Sequence, residues 1–150
     1  MKKLFALCLA LLIFPFMGFD KYSGRTDEEA LKKVLLDYFD GIKTMDTVKM
    51  STVTTSDIVI YEEGKEYNND SVFRDMRSIS PYKADFRFEH FKIFSDEQSG
   101  FMSYYEAANF VVRDTIRFNL NFLGSAAFRK EGGVWKMCLL HSTQRIKRRR

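Results

Sequence analysis

Cysteine is almost missing from this 150-residue chain: there are two, and Cys8 lies in an N-terminal apolar run. If that run is removed, Cys138 is left without a partner, so no internal disulfide braces the fold. Cys138 itself sits among apolar residues, where a thiol behaves as a small core side chain. Two prolines and eight glycines are too few for a collagen-like or linker-dominated chain. The two histidines, His90 and His141, have no third ligand patterned with them, so a metal site has no support. There is no GxGxxG or P-loop, no internal repeat, and Ser142-Thr143 lies in no nucleophile elbow. Dinucleotide, P-loop and serine-hydrolase chemistry therefore have no warrant, and no cofactor is expected.

A strong charge of one sign is also lacking on the body of the chain. The formal net charge is +4, which by itself invites a nucleic-acid reading. Lys2, Lys3, Arg145, Lys147, Arg148, Arg149 and Arg150 all lie in the two ends, while all 20 acids lie between residues 20 and 144. The body is mildly acidic, with cations scattered among acids. A nucleic-acid surface needs Lys and Arg clustered on the fold itself, so none is expected. The arginine-rich end, residues 145–150, reads as a solvated tail that could touch anionic surfaces.

No apolar run is long enough for a membrane span of about 20 residues. The longest, Leu4–Phe14, follows Lys2-Lys3 and is broken by Pro15. That is the charged start, apolar middle and polar exit of a secretory signal. Phe16 before Gly18 makes a poor cleavage site, which leaves an uncleaved anchor open. The sequence divides into a signal peptide (1–19), a folded domain (20–144) and a basic tail (145–150). The expected location is outside the cytoplasm, periplasmic or secreted.

What is present is aromatic and periodic: 15 Phe, seven Tyr and one Trp. Thr26-Asp27-Glu28-Glu29 reads as a capping box. Behind it Ala30, Leu31, Val34, Leu35, Tyr38, Phe39 and Ile42 recur at helical steps, predicting an amphipathic helix over about 27–43. Thr44 or Asp46 can cap a short helix ending near Val53. Ile58–Tyr61 reads as a strand, and one of Asn68, Asn69 and Asp70 caps a third helix. Alternation from Ala84 to Phe94 changes parity between Phe88 and Phe91, predicting a bulge at Glu89-His90. Long strands follow over 101–112 and 115–129, and Gly132-Gly133 turns into a last strand, 134–143. Helices first and consecutive long strands after give an α+β fold.

This order, with Tyr38-x-x-Gly41 through Asp46, Asp57–Gly64 and above all Phe128–Lys136 running to His141-Ser142, resembles the nuclear transport factor 2-like superfamily. The resemblance spans about residues 26–144 and is nearest the SnoaL-like and ketosteroid-isomerase-like exported domains. It implies a cone: a curved antiparallel sheet wrapped around the long N-terminal helix, with two further short helices and a pocket at the open end. It also implies a dimer through the convex sheet face. The sequence allows that, because Met137–Leu140 are apolar at consecutive positions, so both faces of the strand want cover.

In enzymes of that superfamily an acid beside the first strand is a general base, and a tyrosine or acid opposite stabilises the oxyanion. Glu62 matches the base position to within about a residue. Tyr38 suits a pocket hydroxyl as well as an ordinary core position, and His141, in step with Trp135, Met137 and Leu139, a ligand contact or proton shuttle. Tyr61 and the polar stripe Arg117, Asn119 and Asn121 complete the candidate ligand-binding set, although that stripe equally suits solvent. The expected function is non-catalytic binding of a small apolar or amphipathic molecule. A lyase or isomerase using Glu62, with Tyr38 or His141 as electrophile, is the alternative. A third reading is a dimeric protein-interaction module.

Overall fold

The structure is a computed structural model that describes residues 23–145. The signal segment 1–19 and the tail beyond Arg145 lie outside the described residues. The chain runs α1 (Ser23–Thr44), α2 (Thr47–Val53), β1 (Thr54–Glu62), β2 (Lys65–Tyr67), α3 (Asn69–Ser78), β3 (Tyr82–Ser95), β4 (Ser99–Val112), β5 (Ile116–Glu131) and β6 (Val134–Gln144). It is α+β, with three helices and a single curved sheet.

Helix α1 begins a turn earlier than its periodicity predicts, so Thr26 lies within the helix and not at its start. Asp27 has a different task. Its carboxylate accepts the Trp135 indole N–H at 2.9 Å and lies 3.5 Å from Lys130 Nζ. At the other end the Asp46 amide donates to the Gly41 carbonyl at 2.8 Å, and Met45 takes the left-handed conformation at φ 58°. Asp46 then caps α2 by accepting from the Lys49 amide at 2.9 Å. Asn68 caps α3 in a reciprocal capping box with Ser71. The Tyr82 hydroxyl donates to the Ile42 carbonyl, tying β3 to the end of α1.

The strand order is β2-β1-β6-β5-β4-β3. Every pairing is antiparallel except β1 with β6, which is parallel. The expected bulge in β3 is present: the register with β4 shifts between Glu89 and Lys92, and His90 has φ 56°. Phe86, Phe88, Phe91 and Ile93 consequently all pack against the core on the concave side. The Gly132-Gly133 turn has φ of 58° and 81°, the conformation that two-residue hairpins require and glycine adopts without cost.

The concave face holds α1. Leu31, Leu35 and Tyr38 are fully buried against Met102, Tyr104, Ala126, Phe128 and Met137. Burying each large apolar side chain stabilises by roughly 1.5–3 kcal/mol, so this face fixes where the helix lies. Beside the C-terminal half of α1, Val72 and Met76 of α3 join Phe39 and Ile42 in facing the sheet.

Candidate active site

The cavity between α1, α3 and the concave sheet has a volume of about 320 Å³. Phe39 and Ile42 come from α1, Val72 and Met76 from α3, and Ile79 from its end. Phe86 belongs to β3, Ala108 and Phe110 to β4, and Phe118, Leu120 and Phe122 to β5. Alternation puts these strand residues on one face. Phe39 meets Phe86 and Phe88 edge-on at 5.1 and 4.9 Å between ring centres, which makes a continuous aromatic wall.

Two carboxylates enter this apolar lining: Glu62 at the end of β1 and Glu106 in the middle of β4. Glu106 is only 5% exposed. Its position follows from strand parity, since Met102, Tyr104, Glu106 and Ala108 occupy successive inward positions of β4. Burial, and then the charge of Glu62, push the Glu106 carboxyl up to about 8. Burial and the neighbouring Glu63 also raise Glu62, while a hydrogen bond from Ser142 pulls it back. Glu106 therefore keeps its proton at neutral pH, and the charge of Glu62 helps to hold it there.

Two tyrosines complete the polar corner. The hydroxyls of Tyr38 and Tyr104 are buried with no hydrogen-bond partner among the described residues. Burial first, then the Glu62 charge, raises the Tyr38 hydroxyl. Tyr104 is raised by burial, then by Glu106, Tyr38 and Glu62. Both therefore stay protonated donors. The Tyr104 ring lies on Gly124 of β5, in space that any Cβ there would fill.

The site expected from sequence is thus only half assembled here. Glu62 lines the cavity, and Tyr38 lies buried beside it, within reach of its charge. Arg117, Asn119 and Asn121 do not line it: they are exposed and alternate with Phe118, Leu120 and Phe122, which do. Tyr61 is 42% exposed, on the face opposite its neighbour Glu62. His141 is also exposed, because β6 slips by one residue against β5: Ala127 faces Leu139 but Phe128 faces Met137. The extra residue, Cys138, reverses the parity, so Leu140 turns inward and His141 outward. Tyr61 and His141 flank a second, more polar cleft of about 530 Å³, with Glu62 on the shared wall. The sequence reading missed Glu106, whose signal was an acid at an apolar parity in β4.

Among the described residues there is no cluster of three His, Cys, Asp or Glu placed to hold a metal ion. Nor is any described helix long and apolar enough to cross a membrane.

No protein-family profile matches the chain. No curated protein matches it either. Solved structures do. An assigned dehydratase of the nuclear transport factor 2-like family from Streptomyces avermitilis superposes with a TM-score of 0.69 at 11% identity, covering 82% of this chain and 99% of its own. A protein of unknown function with a cystatin-like fold from Nostoc punctiforme gives 0.67 at 11% identity, covering 80% and 92%. The association domain of the C. elegans kinase CaMKII gives 0.66 at 14% identity, covering 79% and 96%. At such identities the likeness is one of fold. The chain has the nuclear transport factor 2-like, or cystatin-like, fold.

Proposed function

We propose that this chain is an exported small-molecule-binding protein whose ligand, apolar or amphipathic, occupies the cavity closed by Glu62 and Glu106. The observation that carries the reading is an apolar cavity of about 320 Å³ with convergent polar groups at one end. That is the usual form of a ligand site, at the small end of a range of about 300–1,000 Å³. Export to the periplasm or medium rests on Lys2-Lys3 and the Leu4–Phe14 run. The test is a thermal-shift screen of small apolar compounds, repeated on Ala108→Leu, which fills the cavity from a position only 1% exposed. Compounds that stabilise the wild type should lose their effect on the variant. A screen in which nothing stabilises the wild type would sink the reading.

Two carboxyls on one cavity wall, of which Glu106 keeps its proton at neutral pH, favour a second reading, a lyase or isomerase with Glu62 as base. Tyr38 supplies a buried hydroxyl, and Glu106 takes the acid role that His141, on the outer face, does not. In deuterated water, a bound carbonyl compound would exchange its α-hydrogens, and Glu62→Gln would stop the exchange. Equal exchange by variant and wild type would rule this out.

Assembly is the third element. Phe101, Ala127 and Leu139 lie side by side on the outer sheet face, and Tyr105 pairs with Leu123 farther along it, beyond the row Ser103, Ser125 and His141. A second copy of the chain, sheet to sheet, is the occupant we propose for this strip. One solved structure of the same fold is an association domain. Tail contact with anionic surfaces rests only on the cations at 145–150.

A further inference from the structure

We infer that the ligand of this cavity carries one positive charge, an ammonium group on an apolar body. The inference rests on the small-molecule reading above and specifies its chemistry.

The electrostatic lining is of one sign. Glu62 and Glu106 face the cavity, and among the described residues its lining holds no Lys, Arg or His. Glu106 is 5% exposed, and no described residue forms a hydrogen bond or ion pair with it. A buried carboxyl without a partner keeps its proton, because ionising it unpaired costs several kcal/mol, and a cation beside it would lift that cost. The partner absent from the protein is the complement that a ligand would bring. An anion would be repelled by Glu62, and a neutral ligand would leave the pair as it stands. A cation removes the repulsion between the two groups and takes the place of the proton on Glu106.

The rest of the wall suits the same ion. Phe39, Phe86, Phe110, Phe118 and Phe122 line the cavity, and aromatic faces attract cations, alkylammonium ions in particular. Methylated ammonium is weakly hydrated and loses little on entering such a site.

The groups that set the charge here are Glu62 of β1, Glu106 and Tyr104 of β4 and Tyr38 of α1, with Ser142 of β6 bonded to Glu62 and Glu63 beside it. A permanent cation does not titrate in the working range, so a pH effect on its binding reports the pair. Cation binding releases the Glu106 proton, and affinity must then rise with pH, by up to about tenfold per pH unit and about fiftyfold between pH 6 and 8 for a carboxyl that ionises at about 8.

Calorimetry with phenyltrimethylammonium and its neutral isostere tert-butylbenzene tests this on the folded protein. The cation should bind at least tenfold more tightly at pH 8, more weakly at pH 6, and lose its advantage in Glu106→Gln and Glu62→Gln. Equal binding of the two probes by the wild type would overturn the charge inference and leave the cavity reading standing. Binding of neither probe would count against both. The wild-type pH series decides the matter even if a variant fails to fold: an affinity for the cation that does not rise with pH overturns the inference.

Discussion

An inward-facing glutamate in a strand is expensive, and Glu106 makes that expense measurable. Its unfolded form ionises near the ordinary carboxyl value of about 4.3, whereas the folded carboxyl holds its proton up to about 8. Below pH 4 both states are protonated and the group is neutral to stability. Between these values folding must take up a proton, so stability falls as pH rises, by at most about 1.4 kcal/mol per unit. Glu106→Gln has no proton to lose. Its melting temperature should therefore gain on the wild type steadily from pH 5 to 8, and parallel curves would show that Glu106 is not held protonated. Gly124 is a second residue with a legible cost. Gly124→Ala drives a methyl into the buried Tyr104 ring and should destabilise by about 1–3 kcal/mol in denaturant melts. Tyr104→Phe should cost almost nothing, because the lost hydroxyl has no partner. A large loss in that variant would reveal a hydrogen bond to the Tyr104 hydroxyl.

At the scale of elements, one clasp joins the first turns of α1 to the last hairpin. Asp27 accepts the Trp135 N–H while Lys130 lies 4.5 Å over the indole ring and close to the same carboxylate. Removing a partly buried, charged acceptor costs about 1.5–3 kcal/mol. Asp27→Ala should lower stability by that order in a urea titration, and Asp27→Asn by less. A change below about 0.5 kcal/mol would mean that the apolar face of α1 alone seats the helix. The order of the elements was readable in the sequence because each has a local period: Leu31 to Ile42 for α1, Phe86 to Ile93 across the β3 bulge, Gly132-Gly133 for the hairpin. The parallel pairing of β1 with β6 was not, since it joins segments about 80 residues apart and leaves no local mark. The slip at Cys138 was hidden for another reason. Met137, Cys138, Leu139 and Leu140 are all apolar, so a reversal of parity there is silent, and His141 reads as inward when it is outward. Arg117, Asn119 and Asn121 had the opposite problem. Their face was clear, but whether that face meets solvent or cavity depends on which way the whole sheet curves.

For the whole molecule, the two faces of the sheet have different work. The concave face is filled by α1 and the cavity. The outer face leaves Phe101, Tyr105 and Leu123 each more than a third exposed, and Arg145 lies with its guanidinium 4.4 Å from the Tyr105 ring. If a second copy covers this strip, light scattering should find twice the chain mass, and Leu123→Glu should halve it without altering the circular dichroism. A wild type of single-chain mass would end the dimer proposal. The edges take no part in assembly on this view. β2 has three residues, and β3 carries a bulge and a row of outward charges from Lys83 to Glu89, features that discourage strand addition. Helix α3 has a consequence of its own. It roofs the cavity with Val72 and Met76, yet not one of its ten residues is fully buried. Its amides should therefore exchange with deuterium long before those of β4 and β5. An occupant seated beneath it would slow that exchange, and the rate at which α3 lifts would cap how fast the occupant can leave.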